Sequence, residues 1–297
     1  MDGSSHLADY ARMALEMTML GRFALCMTLS VGAAQAQGTQ QAAPKHVVSF
    51  NLCADQLVLA LADPSQIAGL SPYAADASLS VVADQARAFR KLDWQAESTI
   101  ALQPDLVFVG PNDRSMTRRM LISLGLRVVE TGFVSDLDSA RKQIREVAEL
   151  LGQTERGEKL LADLERARSR LAATARKGGE TALVVERGGY TQGPSSLAAT
   201  LLSEAGLKPP AGAPAGYGGF IPLERFLILK PDLVFLKDPP RVATDQGAMF
   251  LVHPAMRDLY PPERRIALQT RYTMCGGPAL IAAFDYMADE MAKLPPR

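Results

Sequence analysis

The sequence has 297 residues, 47% hydrophobic and 22% charged. These are the proportions of a globular chain with one large domain or two ordinary lobes, and they exclude a disordered one. Lys+Arg and Asp+Glu balance at 32 each, so no global field draws the chain toward nucleic acid or an anionic membrane, and no basic patch interleaved with aromatics marks a nucleic-acid surface.

In chain order, Arg22 precedes an apolar run from Phe23 to Ala34 that closes on Ala34-Gln35-Ala36, the small-x-small pattern of a signal-peptidase site. The run is shorter than the roughly 20 apolar residues a spanning helix needs. A short core helix is the competing reading, but the polar stretch "QAQGTQQAAPK" follows directly. Residues 1–18 fit no signal pattern, which makes Met19 a candidate start beside Met1. Cys26 lacks the small preceding residue that lipid attachment favours, so cleavage after Ala36 is expected, with 37–44 left as a flexible tail. No later segment is apolar enough to cross a bilayer. The expected location is the bacterial periplasm. Export leaves Cys53 and Cys275 as the only cysteines, and an oxidising compartment permits a disulfide between them.

Residues 45–135 read as an α/β lobe. "HVVSFN" is a strand followed by the helix "ADQLVLALA"; the helix "RRMLISLGL" stops at a glycine and feeds the strand "RVVETG". Between them Glu97 opens a short helix that ends at Pro104-Asp105 and the strand "LVFVG". Residues 136–176 form a connecting helical segment without proline. Thr154 is its expected N-cap, and Leu160, Leu164, Ala167 and Leu171 recur at helical spacing as a buried stripe. Flexible linkers are Gly/Ser-rich and this one is not, so it holds two lobes near a fixed separation.

Residues 177–297 repeat the alternation: strand "TALVVERGG", helix "SLAATLLSEAGL", strand "RIALQT" and helix "ALIAAFDYMADEMAK". Glu224 again stands seven residues before a Pro-Asp pair, Pro231-Asp232, and the strand "LVFLK". Proline ends the helix because it disfavours helical geometry in the residue before it. An unbroken apolar run after it fits a strand of a parallel sheet covered on both faces. The fold class is therefore α/β: two Rossmann-like lobes joined by a long rigid helix.

The export signal, the two E-x6-PDLV units, the connecting helix and "GGYTQGPSSLAATLLSEAGL" at the start of the second lobe together resemble the periplasmic substrate-binding proteins of ABC importers for iron-siderophores, cobalamin and haem. The resemblance covers nearly all of the chain from "HVVSFNLCADQL" to the last helix. It implies two lobes facing each other across a shallow cleft, and one exposed glutamate per lobe that docks onto arginines of a permease dimer in the inner membrane. Glu97 and Glu224 occupy those positions. Exposed ion pairs are individually weak, which suits a contact that must release each cycle. Ordinary helix-start glutamates favoured by the helix dipole are the competing reading.

In open α/β sheets, ligands bind beyond the carboxyl ends of the strands. That rule selects Asn51, Cys53, Asp55, Tyr73, the stretch from Arg87 through Arg90 to Trp94, and Asn112 and Arg114 in the first lobe. In the second it selects Arg187, Tyr190, Gln192, Tyr217, Phe220, Arg271 and Tyr272. Arginine pairs with carboxylate, catecholate or hydroxamate oxygens through its fork of donors, while Tyr and Trp present flat apolar surface. Trp94 serves equally well as a packing residue, Arg87 and Arg90 as surface charges, and Gly216–Phe220 as a turn. Met116, Met120, Met249 and Met274 read as gap-fillers.

After cleavage only His46 and His253 remain, and no histidine cluster suits a free zinc or manganese ion. The expected ligand is thus metal already held in a chelate, a ferric siderophore before cobalamin, bound by a monomer that needs no cofactor of its own. The cysteines depart from the loops the resemblance would supply; a disulfide, two free thiols and a ligand-contacting thiol all stay open. Two other functions are weighed. An α/β enzyme would use Cys53 or Cys275 as nucleophile, with His253 as the one base in reach; no nucleophile elbow, Walker loop or dinucleotide fingerprint accompanies it. A periplasmic sensor would bind the same ligand without transporting it.

Overall fold

The computed structural model describes residues 42–111, 115–239 and 245–295. The signal segment, Asn112 and Arg114 lie outside these described residues. The first lobe runs β1 (Val47–Ser49), α1 (Leu52–Leu61), β2 (Ile67–Gly69), a 3-10 turn (Pro72–Ala75), α2 (Ala83–Ala86), α3 (Ala96–Ile100), β3 (Leu106–Val109), α4 (Ser115–Ser123) and β4 (Val128–Glu130). Its four strands are parallel in the order β2-β1-β3-β4. Then come α5 (Leu137–Leu150) and α6 (Thr154–Ala173).

The second lobe follows as β5 (Ala182–Val185), β6 (Tyr190–Gln192), α7 (Leu197–Glu204), β7 (Gly218–Phe220), α8 (Leu223–Leu229), β8 (Leu233–Lys237), α9 (Gln246–Val252), α10 (Pro254–Leu259), β9 (Arg265–Leu268) and α11 (Pro278–Lys293). Its sheet order is β7-β6-β5-β8-β9, with β5, β8 and β9 parallel and the short β6 and β7 antiparallel. The stretch Gly216–Phe220, for which a simple turn is the competing sequence reading, contributes strand β7; Gly218 pairs with β6 where a side chain would crowd the Thr191 carbonyl.

The repeated Pro-Asp units have one structural job in both lobes. Gln103 and Lys230, each just before the proline, adopt left-handed backbone (φ 50° and 42°) and turn the chain out of its helix. The aspartate after the proline then reaches the neighbouring strand. The Asp105 carboxylate accepts from the backbone N–H of Lys45 (2.6 Å) and His46 (2.9 Å), just before β1. The Asp232 carboxylate accepts from the N–H and hydroxyl of Thr181, both at 2.9 Å, just before β5. Each aspartate thus pins the start of the parallel partner, β1 for β3 and β5 for β8, and fixes the register.

The connecting segment is two helices. The Asp136 side chain caps α5 through Ser139 N–H (2.8 Å), and Gly152 at φ 71° ends it. Gln153, rather than Thr154, is the cap residue of α6. Its buried stripe is Leu161, Leu164, Ala167 and Leu171, with Leu160 only partly buried. Twenty residues at 1.5 Å each make α6 about 30 Å long. Its arginines grip both lobes: Arg156 the Leu61 carbonyl (2.9 Å), Arg168 the carboxylate of Glu204 (2.9 Å), and Arg170 the carboxylates of Asp285 (3.0 Å) and Asp289. One apolar core continues from Val47 and Phe108 of the first sheet through Ile144 and Leu164 to Phe235 of the second.

Candidate functional site

The carboxyl ends of the strands carry the polar and aromatic side chains, as the parallel topology requires. In the first lobe, β1 runs out into Phe50, against which Trp94 stacks at 6.0 Å between ring centroids; Tyr73 tilts onto Trp94 at 5.4 Å. Phe50 is buried and Tyr73 is 47% exposed, so the three rings grade from core to solvent. Trp94 sits at φ 70°, which a non-glycine residue adopts only when its surroundings enforce it. Here Thr117 donates to its carbonyl (3.4 Å). Arg87 pairs with Asp84 on the surface (3.0 Å). Arg90 is exposed and adds to the field on Asp93, whose carboxyl is held low chiefly by the Ser98 hydroxyl.

Asp55, one of the strand-end residues selected from the sequence, does not face a ligand. It is fully buried in α1, where it accepts from the Ser71 N–H (3.1 Å) and hydroxyl. Burial pushes its carboxyl up to about 7, against the downward pull of Ser71, Ser49 and the Lys91 charge. Its work is to hold Ser71, the residue that leads into the turn carrying Tyr73.

In the second lobe, Arg271 lies in the 3-10 turn after β9. Its guanidinium covers the Tyr272 ring at 5.1 Å and donates to the Tyr272 hydroxyl (3.2 Å) and, across to the first lobe, to the Ala77 carbonyl (3.4 Å). Its buried Nε has no partner among the described residues. Tyr272 in turn stacks on Tyr286 at 4.9 Å. Arg187 stands differently: it is ion-paired with Asp245, which also caps α9 through Ala248 N–H (2.9 Å). That partner, together with the cap, holds the Asp245 carboxyl below its usual range. Tyr190 donates to the Tyr217 carbonyl (3.2 Å) and meets Phe220 edge-on at 5.2 Å, leaving Tyr217 and Phe220 largely exposed on the β6–β7 ribbon.

The structure joins Cys53, in the first turn of α1, to Cys275, beyond β9, with Cα atoms 5.1 Å apart. Glu97 and Glu224 are exposed in the first turns of α3 and α8. Residues that sequence reasoning missed include Lys237, which ends β8 and pairs with Glu186 beyond β5 (2.9 Å), with Gln192 donating to the same carboxylate. Phe133, largely exposed after β4, is another. Only the tertiary pairing of β5, β6 and β8 brings the Glu186, Lys237 and Gln192 side chains together. A cavity of about 250 Å³, lined in part by Val184, Gln192, Leu202 and Lys208, lies beside β5 and α7. Among the described residues no group of three or more His, Cys, Asp or Glu could hold a metal ion, and no helix is long and apolar enough to cross a membrane.

Two α/β lobes pinned by a helical spine, with their charged and aromatic side chains at the strand ends, define a two-lobed solute-binding class. The chain belongs to the periplasmic binding protein family, whose model matches residues 47–254. The fold is similar to the apo form of the periplasmic heme-binding protein RhuT from Roseiflexus sp. RS-1, at 20% identity and TM-score 0.65, covering 83% of this chain and 97% of that one. It is also similar to the periplasmic vitamin B12 binding protein BtuF of Vibrio cholerae, at 16% identity and TM-score 0.62, covering 84% and 97%. A third similar structure is an ABC-type Fe3+-hydroxamate transport system from Saccharomonospora viridis DSM 43017, at 21% identity and TM-score 0.59, covering 84% and 93%. At these identities the likeness is one of fold. Among curated proteins none matches.

Proposed function

We infer that this protein captures a metal chelate in the cleft between its lobes and delivers it to an inner-membrane ABC importer. The favoured ligand is a ferric siderophore. Arg271 carries the reading: a half-buried arginine at a strand end that donates to a carbonyl and a phenol, with its buried Nε unpartnered among the described residues. A partly desolvated cation that pairs with neutral acceptors gains a charge-assisted bond from an anionic or strongly accepting ligand oxygen. Family membership and the likeness to solved proteins named for heme, vitamin B12 and Fe3+-hydroxamate support the chelate class.

Cobalamin or another flat tetrapyrrole is the second reading, favoured by the Tyr73–Trp94–Phe50 ring series, which offers one exposed face to a planar ligand. A cysteine-nucleophile enzyme is disfavoured because both cysteines are spent in the disulfide. In this account the signal is cleaved after Ala36, the chain works as a periplasmic monomer, and Glu97 and Glu224 orient it on the permease dimer. Titration of Arg271→Ala with ferric chelates tests the site: removing a charge-assisted bond costs about 1.5–3 kcal/mol, a loss of roughly tenfold to a hundredfold in affinity. Unchanged affinity would move the ligand elsewhere.

A further inference from the structure

The lobes are covalently joined at two places. The chain itself passes through α5 and α6, and the Cys53–Cys275 disulfide joins positions 222 residues apart in sequence. Cys53 opens α1 immediately after β1, and Cys275 follows the turn that carries Arg271 and Tyr272. The bond therefore crosses between the lobes at the strand ends, on the side where the ligand is placed. The hydrogen bonds that cross nearby are made to neutral carbonyls. Arg271 donates to the Ala77 carbonyl (3.4 Å), Thr200 to the Ser135 carbonyl (3.2 Å), and Gly276 lies close to Val134 and Ala140. The Thr270–Gly277 segment meets the first lobe through the Arg271 bond, through Cys53 Sγ beside the Met274 carbonyl (3.6 Å), and otherwise through apolar packing of Cys275 on Leu52, Gly276 on Val134 and Ala140, and Gly277 on Leu57.

The two sulfurs are not equivalent. Cys275 is 1% exposed, enclosed with Leu52 and Ala279. Cys53 is half-buried at the start of a ten-residue helix. An attacking thiolate reaches Cys53 and not Cys275. When Cys53 must later depart, the first turn of α1 favours its thiolate.

We propose that the Cys53–Cys275 disulfide is a redox clasp on the ligand cleft: oxidised, it holds the Arg271 turn against the first lobe for capture; reduced by a dithiol, it frees that turn and the ligand is released. The proposal rests on the reading of the strand-end cleft as the ligand site. The chemistry is a dithiol–disulfide exchange. The first thiolate of the dithiol attacks the Cys53 sulfur, forming a mixed disulfide and breaking the bond to Cys275, which leaves as a thiolate and takes up a proton. The second thiol of the reductant, deprotonated, attacks its own partner sulfur and expels Cys53, which is protonated in turn. Two electrons and two protons pass to the protein, and the reductant departs as an internal disulfide.

The test uses the full mature chain in three forms: oxidised, reduced with dithiothreitol, and the Cys53→Ser/Cys275→Ser variant. The first arm needs no ligand. Hydrogen–deuterium exchange is expected to lose protection at residues 72–82 and 270–277 on reduction, with the rest of the second sheet unchanged. The second arm titrates ferrichrome, haemin and cyanocobalamin against each form. A probe that binds the oxidised protein is expected to bind the reduced protein roughly tenfold more weakly or worse, within the usual range of coupling between two sites. Identical exchange in oxidised and reduced protein overturns the clasp, and so does equal affinity of a bound probe for both forms. Reduction that loosens both segments while no probe binds any form supports the mobile turn and sinks the ligand reading instead. If the double variant fails to fold, reduced wild type carries both arms.

Discussion

Asp55 is the residue whose chemistry most directly sets a pH dependence. Its carboxyl rises from 3.8 to about 7 on folding because it is buried. Between about pH 4 and pH 7 the folded protein therefore holds a proton that the unfolded chain has released. Stability from this group is greatest below the unfolded pKa and falls as pH rises through the folded one. The Asp55→Asn variant lacks that titration. Denaturant melts at several pH values should show the stability of the variant gaining on wild type between about pH 4 and pH 8; parallel curves would remove Asp55 from the account. Arg187 and Arg271 differ in a way that matters at the same scale. Arg187 already has the Asp245 carboxylate, so Arg187→Ala is expected to cost ligand affinity less than Arg271→Ala in the same titration. Equal losses would mean that the Arg187–Asp245 pair opens on binding.

Among the elements, the twin E-x6-PD units have a structural role in their aspartates and a proposed docking role in their glutamates. Losing the Asp105 or Asp232 carboxylate leaves strand-start N–H groups without their acceptors. Asp105→Ala and Asp232→Ala are each expected to destabilise the fold by about 1–3 kcal/mol in thermal or denaturant melts. A neutral result at either would leave register fixed by apolar packing alone. The glutamates are expected to behave in the opposite manner: Glu97→Lys with Glu224→Lys should leave ligand affinity and stability intact while impairing transport in reconstituted membranes, more than either single reversal. Normal transport by the double variant would end the docking role.

The elements also show what a sequence can and cannot disclose. The β3 and β8 strands were readable because an unbroken apolar run behind Pro-Asp suits a strand covered on both faces. Strands β2, β6 and β7 were not, because three residues such as Tyr190–Gln192 or Gly218–Phe220 carry no periodicity and exist only through their pairing. The strand-end rule located the turns of Tyr73, Arg187 and Arg271. It said nothing of which cation is already paired, because Asp245 lies 58 residues from Arg187, and it wrongly turned Asp55 outward. The spacing of the helical spine was legible to within one residue, and its division at Gly152 was the part that a continuous polar segment concealed.

For the whole molecule, the disulfide and the spine act together as two ties between lobes that share one core. A cross-link over 222 residues restricts the unfolded chain and is expected to contribute about 5 kcal/mol on the chain-entropy model. Denaturant melts with and without reductant should separate by that order; coincident melts would mean the bond is either absent in solution or offset by strain. The central claim, however, is capture of a metal chelate at the strand ends, and one measurement addresses it directly. Trp94 is the sole tryptophan and lies in the ring series beneath Tyr73, so its fluorescence can follow titration of the oxidised mature protein with ferric siderophores, haemin and cyanocobalamin. The account predicts saturable quenching by at least one of them, weakened in Arg271→Ala. No response to any of these chelates, with the protein folded and oxidised, would contradict it.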